Sequence, residues 1–271
     1  VICVDERMSY TGVKAILEGQ EHPEGEREDI RALCFLMKEA AAILKEKRRK
    51  RGAIDFDFPE SKIIVDDKGY PIDIHPYERN VATDIIEDFM LLANETVAED
   101  YFWQEIPFLY RTHETPDSDK IKKLDTFIHN FGYYMKTGRE NFHPKEIQKL
   151  LFSLEGEPEE PLISRLALRS MKQAKYTTLN VGHFGLSTQY YTHFTSPIRR
   201  YPDLQIHRII KENIHGKLNQ KRLEHYEAIL PSVAQQSSTM ERRAQDAERE
   251  VDKLKKVEYM QQYLGEAFTG V

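Results

Sequence analysis

The most informative stretch of the chain, residues 190–203, reads YYTHFTSPIRRYPD. It combines aromatic rings, hydroxyl groups and two adjacent arginines, Arg199 and Arg200, just before a predicted helix. The Ser196-Pro197 pair suits an N-cap followed by a first helical turn. Pro202 is expected to kink the first turns of that helix or to restart it. In both cases the two arginines lie near a helix N-terminus.

This arrangement favours a bound phosphate, because free backbone amides, the positive end of the helix dipole and guanidinium groups all attract an anion. Asp203 and His207, one helical turn apart, are placed to orient each other or an arginine. The alternative is an aromatic-rich connection whose arginines pair with surface carboxylates. The residues of this stretch leave both interpretations open.

Charge is unevenly distributed along the chain. Its 271 residues include 39 Lys and Arg against 45 Asp and Glu, which gives a formal net charge of −6. Nucleic-acid-binding domains are usually basic, so this total disfavours such a partner. Residues 84–119, however, hold ten acidic residues and one basic residue, whereas residues 162–211 hold eight basic residues and one acidic residue. The sum is therefore a poor guide to the partners of this chain.

A second basic cluster ends the helix that apolar periodicity predicts over residues 29–51. Six of the seven residues from 45 to 51 are Lys or Arg. Basic side chains stabilise a helix C-terminus. We therefore expect a solvated helix end here, in preference to a nucleic-acid patch.

The remaining pattern is mostly helical, with one region of strands. Ser9 is a suitable cap for a short helix that runs to Gly19. Residues 53–58 alternate as a strand does, and the runs 63–65 and 70–74 flank a turn, which predicts a β-hairpin or meander. Further helices are predicted over 81–101, 117–135, 144–153, 160–175, a segment after Ser196, 220–230 and 232–264.

These elements predict a helix-rich α+β fold with a small antiparallel β-hairpin or sheet and a long C-terminal helix. In the helix over 232–264, apolar residues recur at spacings of three, four and seven. We favour a single long helix lying across a domain over a coiled-coil seam. The strand-like residues 1–4 and 267–271 lead us to expect that the chain is cut from a longer polypeptide.

Several common sites leave no signature in this sequence. A Walker-type phosphate loop, a Gly-x-Ser-x-Gly elbow, a His-Glu-x-x-His motif and a paired Cys-x-x-Cys are absent. Asp55 and Asp57 share a face of the predicted strand, but no third ligand stands at an informative spacing, so solvated acids are favoured over a metal site. Cys3 and Cys34 are too few for a disulfide framework, and no apolar run approaches the ~20 residues that span a bilayer. This composition is typical of a cytoplasmic protein without membrane association.

Two aromatic residues outside the central stretch are candidates for binding bases. Tyr10 stands at the start of a predicted helix, and Phe56 lies in the predicted strand beside two aspartates. Stacking of a base on such a ring contributes about 1–3 kcal/mol. For an isolated phenylalanine, packing in the core is the more common role.

The central stretch and its neighbours resemble the catalytic domain of the ribonuclease R family, within the ribonuclease II superfamily. The matching segments are residues 168–176 (LRSMKQAKY), 183–186 (HFGL) and 193–204 (HFTSPIRRYPDL). Supporting segments are residues 51–56 (RGAIDF), 86–94 (IEDFMLLAN), 110–114 (YRTHE) and 240–243 (MERR). The resemblance covers nearly the whole chain, with the segments in the same order.

The resemblance implies a processive 3′→5′ exoribonuclease that hydrolyses single-stranded RNA to nucleoside 5′-monophosphates with magnesium held by aspartates. Arg199 matches the family's arginine at the scissile phosphate, which stabilises charge in the transition state. Tyr10 matches the tyrosine that packs against the 3′-terminal base, and Phe56 the aromatic residue that clamps the terminal bases from the other side. Glu87 matches a glutamate at the terminal nucleotide, where contact with a ribose hydroxyl would distinguish RNA from DNA.

Three further residues, Arg200, Arg169 and His193, match the family less specifically, and the resemblance suggests them for the track of RNA phosphates. The family's metal ligands, by contrast, lie in an aspartate-rich motif N-terminal to the region where this chain begins. The resemblance therefore implies that the Mg²⁺ ligands are outside this chain and that it contains no metal-binding residue.

The resemblance also implies flanking domains. Cold-shock-like OB-fold domains are expected upstream, and another OB-fold RNA-binding domain is expected to begin near Phe268. We thus expect residues 1–264 to form a partial ribonuclease II-type catalytic domain and residues 265–271 to begin the downstream domain. The isolated chain is expected to be inactive, and a catalytically silent RNA-binding or scaffolding module is the alternative function.

Overall fold

The computed structural model describes residues 3–21, 24, 27–56, 61–76, 79–136 and 142–268. The chain divides into two compact units, one formed by Val1–Phe56 with Arg79–Gln235 and the other by Asp57–Glu78 with Gln236–Val271. In chain order, the helices and strands are α1 Tyr10–Leu17, α2 Glu28–Arg51, β1 Ser61–Val65, β2 Pro71–Pro76, α3 Val81–Trp103, β3 Tyr110–Thr112, α4 Ser118–His129, α5 Pro144–Leu154, α6 Glu160–Ser170, β4 Lys175–Thr177, α7 Tyr201–Ile214 and α8 Gln220–Met260. The helix-rich α+β fold predicted from the sequence is confirmed. No helix in the described ranges has the length and apolar character that crossing a membrane requires.

The first three helices form a group in the first unit. The Ser9 hydroxyl caps α1 by accepting the Gly12 amide at 3.0 Å, as predicted, although α1 ends at Leu17 before the predicted Gly19. Gly52 caps the C-terminus of α2, and its φ of +105° is in the left-handed region that glycine tolerates. A capping box closes the start of α3, with Asn80 and Thr83 each accepting a backbone amide of the other. The core of this group contains Ile16, Leu17, Cys34, Ala41 and Ile85.

The helices α4, α5 and α6 form a second apolar cluster in the same unit. Two of them are shorter than the periodicity predicted. The helix expected over 117–135 ends at His129, and Gly132 then takes a φ of +84°. The helix expected over 160–175 ends at Ser170, because the chain extends there and forms β4.

A third cluster surrounds the antiparallel pair β3–β4 and the helices α7 and α8. One prediction in this region is confirmed in part and one is wrong. The Ser196 carbonyl closes a turn by accepting the Arg200 amide at 3.0 Å, and the helix then restarts at Tyr201 with Arg200 as N-cap, so Pro202 lies in the first turn of α7. The break expected at Pro231 does not occur, since α8 continues through this proline to Met260. Pro231 is exposed, so the carbonyl that loses its helical partner can be hydrated.

The second unit contains the predicted hairpin. β1 and β2 pair in antiparallel register from Ser61 opposite Pro76 to Ile64 opposite Asp73. The Asp66 carboxylate accepts the amides of Lys68 and Tyr70 in the connecting turn. The hairpin prediction is confirmed. Of the apolar stripe on α8, residues Met240, Val251 and Leu254 are exposed, and both interpretations of that stripe stay predictions.

Three predicted strand segments are wrong where the structure describes them. Residues 53–56 are not a strand; they are held by a hydrogen bond from the Ile54 amide to the Gly185 carbonyl (2.7 Å) and by packing of Ile54 and Phe56 on the second cluster. Residues 3–4 and 267–268 also lie outside strands. The remaining positions of these predictions, 57–58, 1–2 and 269–271, lie outside the described residues.

Candidate nucleic-acid interface

The Arg199 turn, defined as residues 196–200, immediately precedes α7. The Ser196 carbonyl accepts the amides of Arg199 at 3.3 Å and Arg200 at 3.0 Å. The Arg199 side chain is exposed, and its guanidinium has no hydrogen-bond or ion-pair partner among the residues that the structure describes. It is therefore available to an anionic ligand at the N-terminal end of α7.

Arg200 has the opposite environment. Its guanidinium contacts the fully buried Asp203 carboxylate, with Nη2 and Nε at 2.8 and 3.1 Å from Oδ2. The same oxygen accepts the Ser196 amide at 2.7 Å. Asp203 thus orients an arginine, as predicted. His207 does not contact Asp203; its Nε2 lies 2.9 Å from the Phe194 carbonyl, and its ring stacks on the Phe194 ring.

Asn94, on α3, fixes the approach to this turn from the other side. It is 3% exposed. Its side-chain carbonyl accepts the Phe194 amide at 2.9 Å, and its Nδ2 donates to the Tyr191 hydroxyl at 3.2 Å. Because both the oxygen and the nitrogen of this side-chain amide are hydrogen-bonded, residues 191–194 have a fixed position relative to α3.

His193 lies between these anchors and is electrically neutral. Its Nδ1 is 2.8 Å from the Tyr176 hydroxyl. Burial first, and then the positive charges of Arg200, Arg111 and Arg199, lower the pKa of His193 to about 2. The positive potential of this region therefore comes from its arginines, and His193 offers hydrogen bonds without charge.

Arg111 is the third arginine of this neighbourhood. Its guanidinium lies over the Tyr176 ring, 4.7 Å from the centroid, and its amide donates to the Tyr191 carbonyl at 2.9 Å. Burial, the His113 ring and Arg111 together lower the pKa of His183 to about 3. Both buried histidines are consequently uncharged near neutral pH.

Glu87, Asp55 and Arg79 meet at the start of α3. Glu87 is exposed and pairs with Arg79, with Nη2 and Oε2 2.7 Å apart. The other terminal nitrogen of Arg79 lies 3.9 Å from Asp55. Phe56, which follows Asp55, packs half-buried against the cluster of α4–α6. Arg79 therefore links Glu87 to Asp55, the residue that precedes Phe56.

Tyr10 lines a cavity of about 700 Å³ between α1, α2 and α3. Half of the Tyr10 surface is exposed. The other walls are largely apolar and include Met8, Val13, Met37 and Ile86. An exposed aromatic ring beside an apolar cavity suits a planar ring such as a base. Ile86 is adjacent to Glu87 in sequence, so the cavity and Glu87 share the first half of α3.

The helix α3 connects the two parts of the site. Glu87 and Asn94 are seven residues apart, which puts them on one face with about 10 Å between them along the axis. This helix therefore contributes residues both to the cavity beside Tyr10 and to the support of the chain that leads into the Arg199 turn.

Arg169 is not brought into this arrangement. It is exposed on α6, and no described hydrogen bond or ion pair joins it to the Arg199 turn. The basic end of α2 is also separate, because carboxylates of α3 pair with it: Lys45 with Asp84, Arg48 with Asp88 and Arg51 with Glu95. Half of the six basic side chains at this end are thus paired with α3, while Arg49 and Lys50 pair with Glu46 and remain exposed. The expectation of a solvated helix end, in preference to a nucleic-acid patch, stays a prediction.

Sequence reasoning missed Arg111, Asn94 and Tyr176 as parts of the site. All three lie within segments that carried the family resemblance, and this was the available signal. Their partners are distant in sequence, with 97 positions between Asn94 and Tyr191. No local periodicity reveals such a pairing.

A metal site is not found in the described ranges, where no three His, Cys, Asp or Glu side chains are placed to hold an ion. The donor set of these described ranges does not fit a magnesium site. Cys3 and Cys34 are free thiols, one exposed and one buried.

Comparison with known proteins defines the family. The RNB domain matches residues 1–216. Ribonuclease R 1 of Lactococcus lactis is 44% identical over 271 residues, covering 100% of this chain and 33% of that protein. Ribonuclease R of Thermotoga maritima is 42% identical over 274 residues, covering 100% of this chain and 38% of that protein. The structure of Mycoplasma genitalium RNase R in complex with ribose-methylated single-stranded RNA aligns with a TM-score of 0.90 at 25% identity, over 96% of this chain and 41% of that one.

The chain therefore belongs to the RNB domain family, and it resembles bacterial ribonuclease R over its full length, as its motifs indicated. It spans about a third of the length of these relatives.

Proposed function

We propose that this chain is the RNA-holding part of a hydrolytic 3′→5′ exoribonuclease that acts on single-stranded RNA. The observation that carries the proposal is the Arg199 guanidinium, which is exposed and without a partner among the described residues, at the start of α7 in an arginine-rich region. Family membership supports it, as do relatives named ribonuclease R and a similar structure in complex with RNA.

Each predicted contact has a role in this proposal. Arg199 binds the scissile phosphate and stabilises the charge that develops on it. Tyr10, at its apolar cavity, packs against the 3′-terminal base, and Phe56 contacts the terminal bases from the side of α4–α6. Glu87 accepts a hydrogen bond from a ribose hydroxyl. To do so, its carboxylate must bind the hydroxyl beside Arg79 or release Arg79.

The three further residues differ in what they offer RNA. Arg169 is exposed and can contact the phosphate backbone at a distance from the Arg199 turn. Arg200 and His193 already make internal hydrogen bonds to Asp203 and Tyr176. Their contribution to RNA binding is therefore through the shape of the site.

The metal and the flanking domains belong to the rest of the polypeptide in this proposal. Magnesium ligands are proposed outside this chain because the family resemblance puts them in an aspartate-rich motif N-terminal to it. Flanking OB-fold domains are proposed from the family resemblance, and the length of the relatives, about three times that of this chain, leaves room for them. Processive release of nucleoside 5′-monophosphates and a cytoplasmic location complete the proposal; the two free thiols suit a reducing compartment.

The test is degradation of a single-stranded RNA with a 5′ label by the full-length protein. The proposal predicts that products shorten from the 3′ end and that nucleoside 5′-monophosphates are released, with activity lost when divalent ions are chelated. The matched control is the Arg199→Ala protein, purified in parallel to exclude a contaminating nuclease. Internal cleavage, shortening from the 5′ end or equal activity of the two proteins would reject the proposal.

A catalytically silent RNA-binding module is the second candidate. The absence of a fitting metal site in the part of the chain that the structure describes favours it for the chain taken alone. In that case the full-length protein binds the labelled RNA but leaves its length unchanged.

A further inference from the structure

The carboxylate of Asp203 gathers three donors on one oxygen. Its Oδ2 accepts the Ser196 amide at 2.7 Å, the Arg200 Nη2 at 2.8 Å and the Arg200 Nε at 3.1 Å. Asp203 is 0% exposed, and the Arg200 side chain is only 16% exposed. A buried charge requires a partner, so this pair fixes both side chains in one geometry.

Ser196 transmits this geometry to the Arg199 turn. Its amide donates to Asp203, whereas its carbonyl accepts the amides of Arg199 and Arg200. The turn is thereby tied to the buried carboxylate at its first residue through a backbone amide and at its last residue through the Arg200 guanidinium. The Arg199 guanidinium makes no bond in this closure and remains exposed.

The two adjacent arginines thus differ in what they can do for a ligand. If Arg200 turned outward to bind a phosphate, Asp203 would remain buried without its counter-charge, which is unfavourable. Arg199 can bind a phosphate without breaking any described contact. This difference assigns ligand binding to the first arginine and support to the second.

We infer that Asp203 is a positioning residue that fixes the Arg199 turn for catalysis, and that Arg200 is its counter-charge and not an RNA contact. The inference rests on the proposed function, because it concerns the placement of Arg199 at the scissile phosphate. Displacement of a catalytic group by about 1 Å costs on the order of 100-fold in rate, so the anchor controls cleavage more than affinity.

The experiment is a double-mutant cycle in the full-length enzyme, with single-turnover RNA cleavage and RNA affinity measured for each variant. Asp203→Asn removes the negative charge with little change of shape. We expect cleavage to fall by about 10- to 100-fold and affinity to change by less than about threefold. In the Arg199→Ala background, we expect Asp203→Asn to have less than about a twofold further effect on cleavage, because its action passes through Arg199. Full additivity of the two losses would overturn the inference.

Glu212→Gln is the matched control. Glu212 is on the same helix, α7, and accepts two hydrogen bonds from Arg222 at 2.8 and 2.9 Å. It is remote in sequence from the turn, so weakening this pair should leave single-turnover cleavage within about twofold of the parent enzyme. A loss of cleavage equal to that of Asp203→Asn would show that weakening any ion pair of α7 slows cleavage. That result would contradict a specific positioning role for Asp203.

Arg200→Lys provides a second variant that does not depend on the folding of Asp203→Asn. Lysine keeps the charge but loses the guanidinium fork that reaches Oδ2 with two nitrogens. We expect cleavage to fall several-fold with affinity retained and the same lack of additivity with Arg199→Ala. An equal loss in affinity and cleavage would show Arg200 to be an RNA contact.

Failure of this inference is distinguishable from failure of the proposed function. If Arg199→Ala cleaves RNA as fast as the parent enzyme, the proposed function of the Arg199 turn is wrong. If Arg199→Ala is impaired and Asp203→Asn adds its full loss to it, only the positioning role is wrong.

Discussion

The end of α2 and the Arg199 turn are both rich in basic residues, but carboxylates balance them differently. At the end of α2, Lys45 and Arg51 pair with Asp84 and Glu95 on α3 at 3.3 and 2.6 Å, and Arg48 pairs with the buried Asp88. At the Arg199 turn, the buried Asp203 pairs with only one of two adjacent arginines. Basic composition therefore does not identify a binding surface. Whether a basic cluster is available to a ligand depends on the carboxylates that the fold brings near it.

The comparison also explains the net charge. Three of the acidic residues in segment 84–119 form ion pairs with the basic end of α2. The basic segment 162–211 contains a single acidic residue, Asp203. Glu114 of the acidic segment also pairs with Lys172 and Lys175 of the basic segment, so the positive charge that remains is that of the arginines near α7. A chain with an overall charge of −6 can therefore present a positive site there.

Acid should destabilise the arginine-rich side most strongly. His193 and His183 have folded pKa values of about 2 and 3, below the ordinary 6.5 of an unfolded histidine. At a pH between the folded and the unfolded pKa of each histidine, the unfolded chain binds more protons than the folded chain. The free energy of unfolding is therefore highest above pH 6.5 and falls as the pH drops below it. From pH 7 to pH 5 we expect a loss of about 2 kcal/mol for each histidine, measured as the free energy of unfolding in urea.

The control for this pH dependence compares a buried and an exposed position. His193→Gln should flatten the pH dependence by about half, whereas the same change at the exposed His215 should leave it unaltered. The groups facing His193 are Arg111, Arg199, Arg200, His183 and the Tyr176 hydroxyl. A pH dependence that His193→Gln does not reduce would show that its buried, neutral state is misassigned.

Breaking the balance at α2 should cost stability and not RNA binding. Asp88 is 3% exposed and pairs with Arg48. Asp88→Ala leaves Arg48 without its partner, and we expect a loss of about 3 kcal/mol in the free energy of unfolding. RNA affinity, measured well below the unfolding transition, should stay within about twofold.

Glu99→Gln is the control on the same helix, because Glu99 is an exposed carboxylate of α3. It should change stability by less than about 0.5 kcal/mol. A large loss of RNA affinity in Asp88→Ala would mean that the α2 end takes part in binding, which would remove the distinction between the two regions.

Glu87 provides a smaller effect at the other end of the site. Its pair with Arg79 is exposed, so Glu87→Gln should change stability by less than about 1 kcal/mol. Loss of a hydrogen bond to a ribose hydroxyl should reduce the preference for RNA over DNA of the same sequence by about fivefold. Competition binding with the two strands measures this preference. An unchanged preference would remove Glu87 from the proposed contacts.

The smallest effect concerns salt. Each phosphate contact with single-stranded nucleic acid contributes about 0.7 to the slope of log affinity against log salt. Arg199→Ala should lower that slope by about this amount, whereas Lys45→Ala should not change it, because Lys45 is paired with Asp84. Equal reductions would show that the two basic regions bind RNA alike.

Local patterns predicted most helices and the hairpin, because periodicity and capping act over a few residues. The prediction over 29–51 agrees with α2, and the hairpin turn at residues 66–70 was visible in its composition. The pair β3–β4 was missed, since three residues per strand are too few for alternation. The continuity of α8 through Pro231 was missed because proline disfavours the interior of a helix, whereas the folded chain keeps this proline inside α8.

The candidate site was predicted only in part, for the same reason. Family motifs pointed to Arg199, Tyr10 and Glu87, and the structure leaves all three exposed. The bonds of Asn94 to residues 191 and 194 span about a hundred positions and have no local signature. The sequence also does not show that Arg200 differs from Arg199, since only the folded chain puts a buried carboxylate against one of them.

The most direct test of the central claim compares Arg199→Ala and Lys45→Ala in the full-length enzyme, by single-turnover RNA cleavage and by RNA affinity. If Arg199 stabilises the transition state, Arg199→Ala should slow cleavage by about 100- to 1,000-fold and weaken affinity by less than about tenfold. Lys45→Ala should alter neither by more than about twofold. Equal losses of cleavage and affinity in Arg199→Ala, or a comparable defect in Lys45→Ala, would contradict the claim.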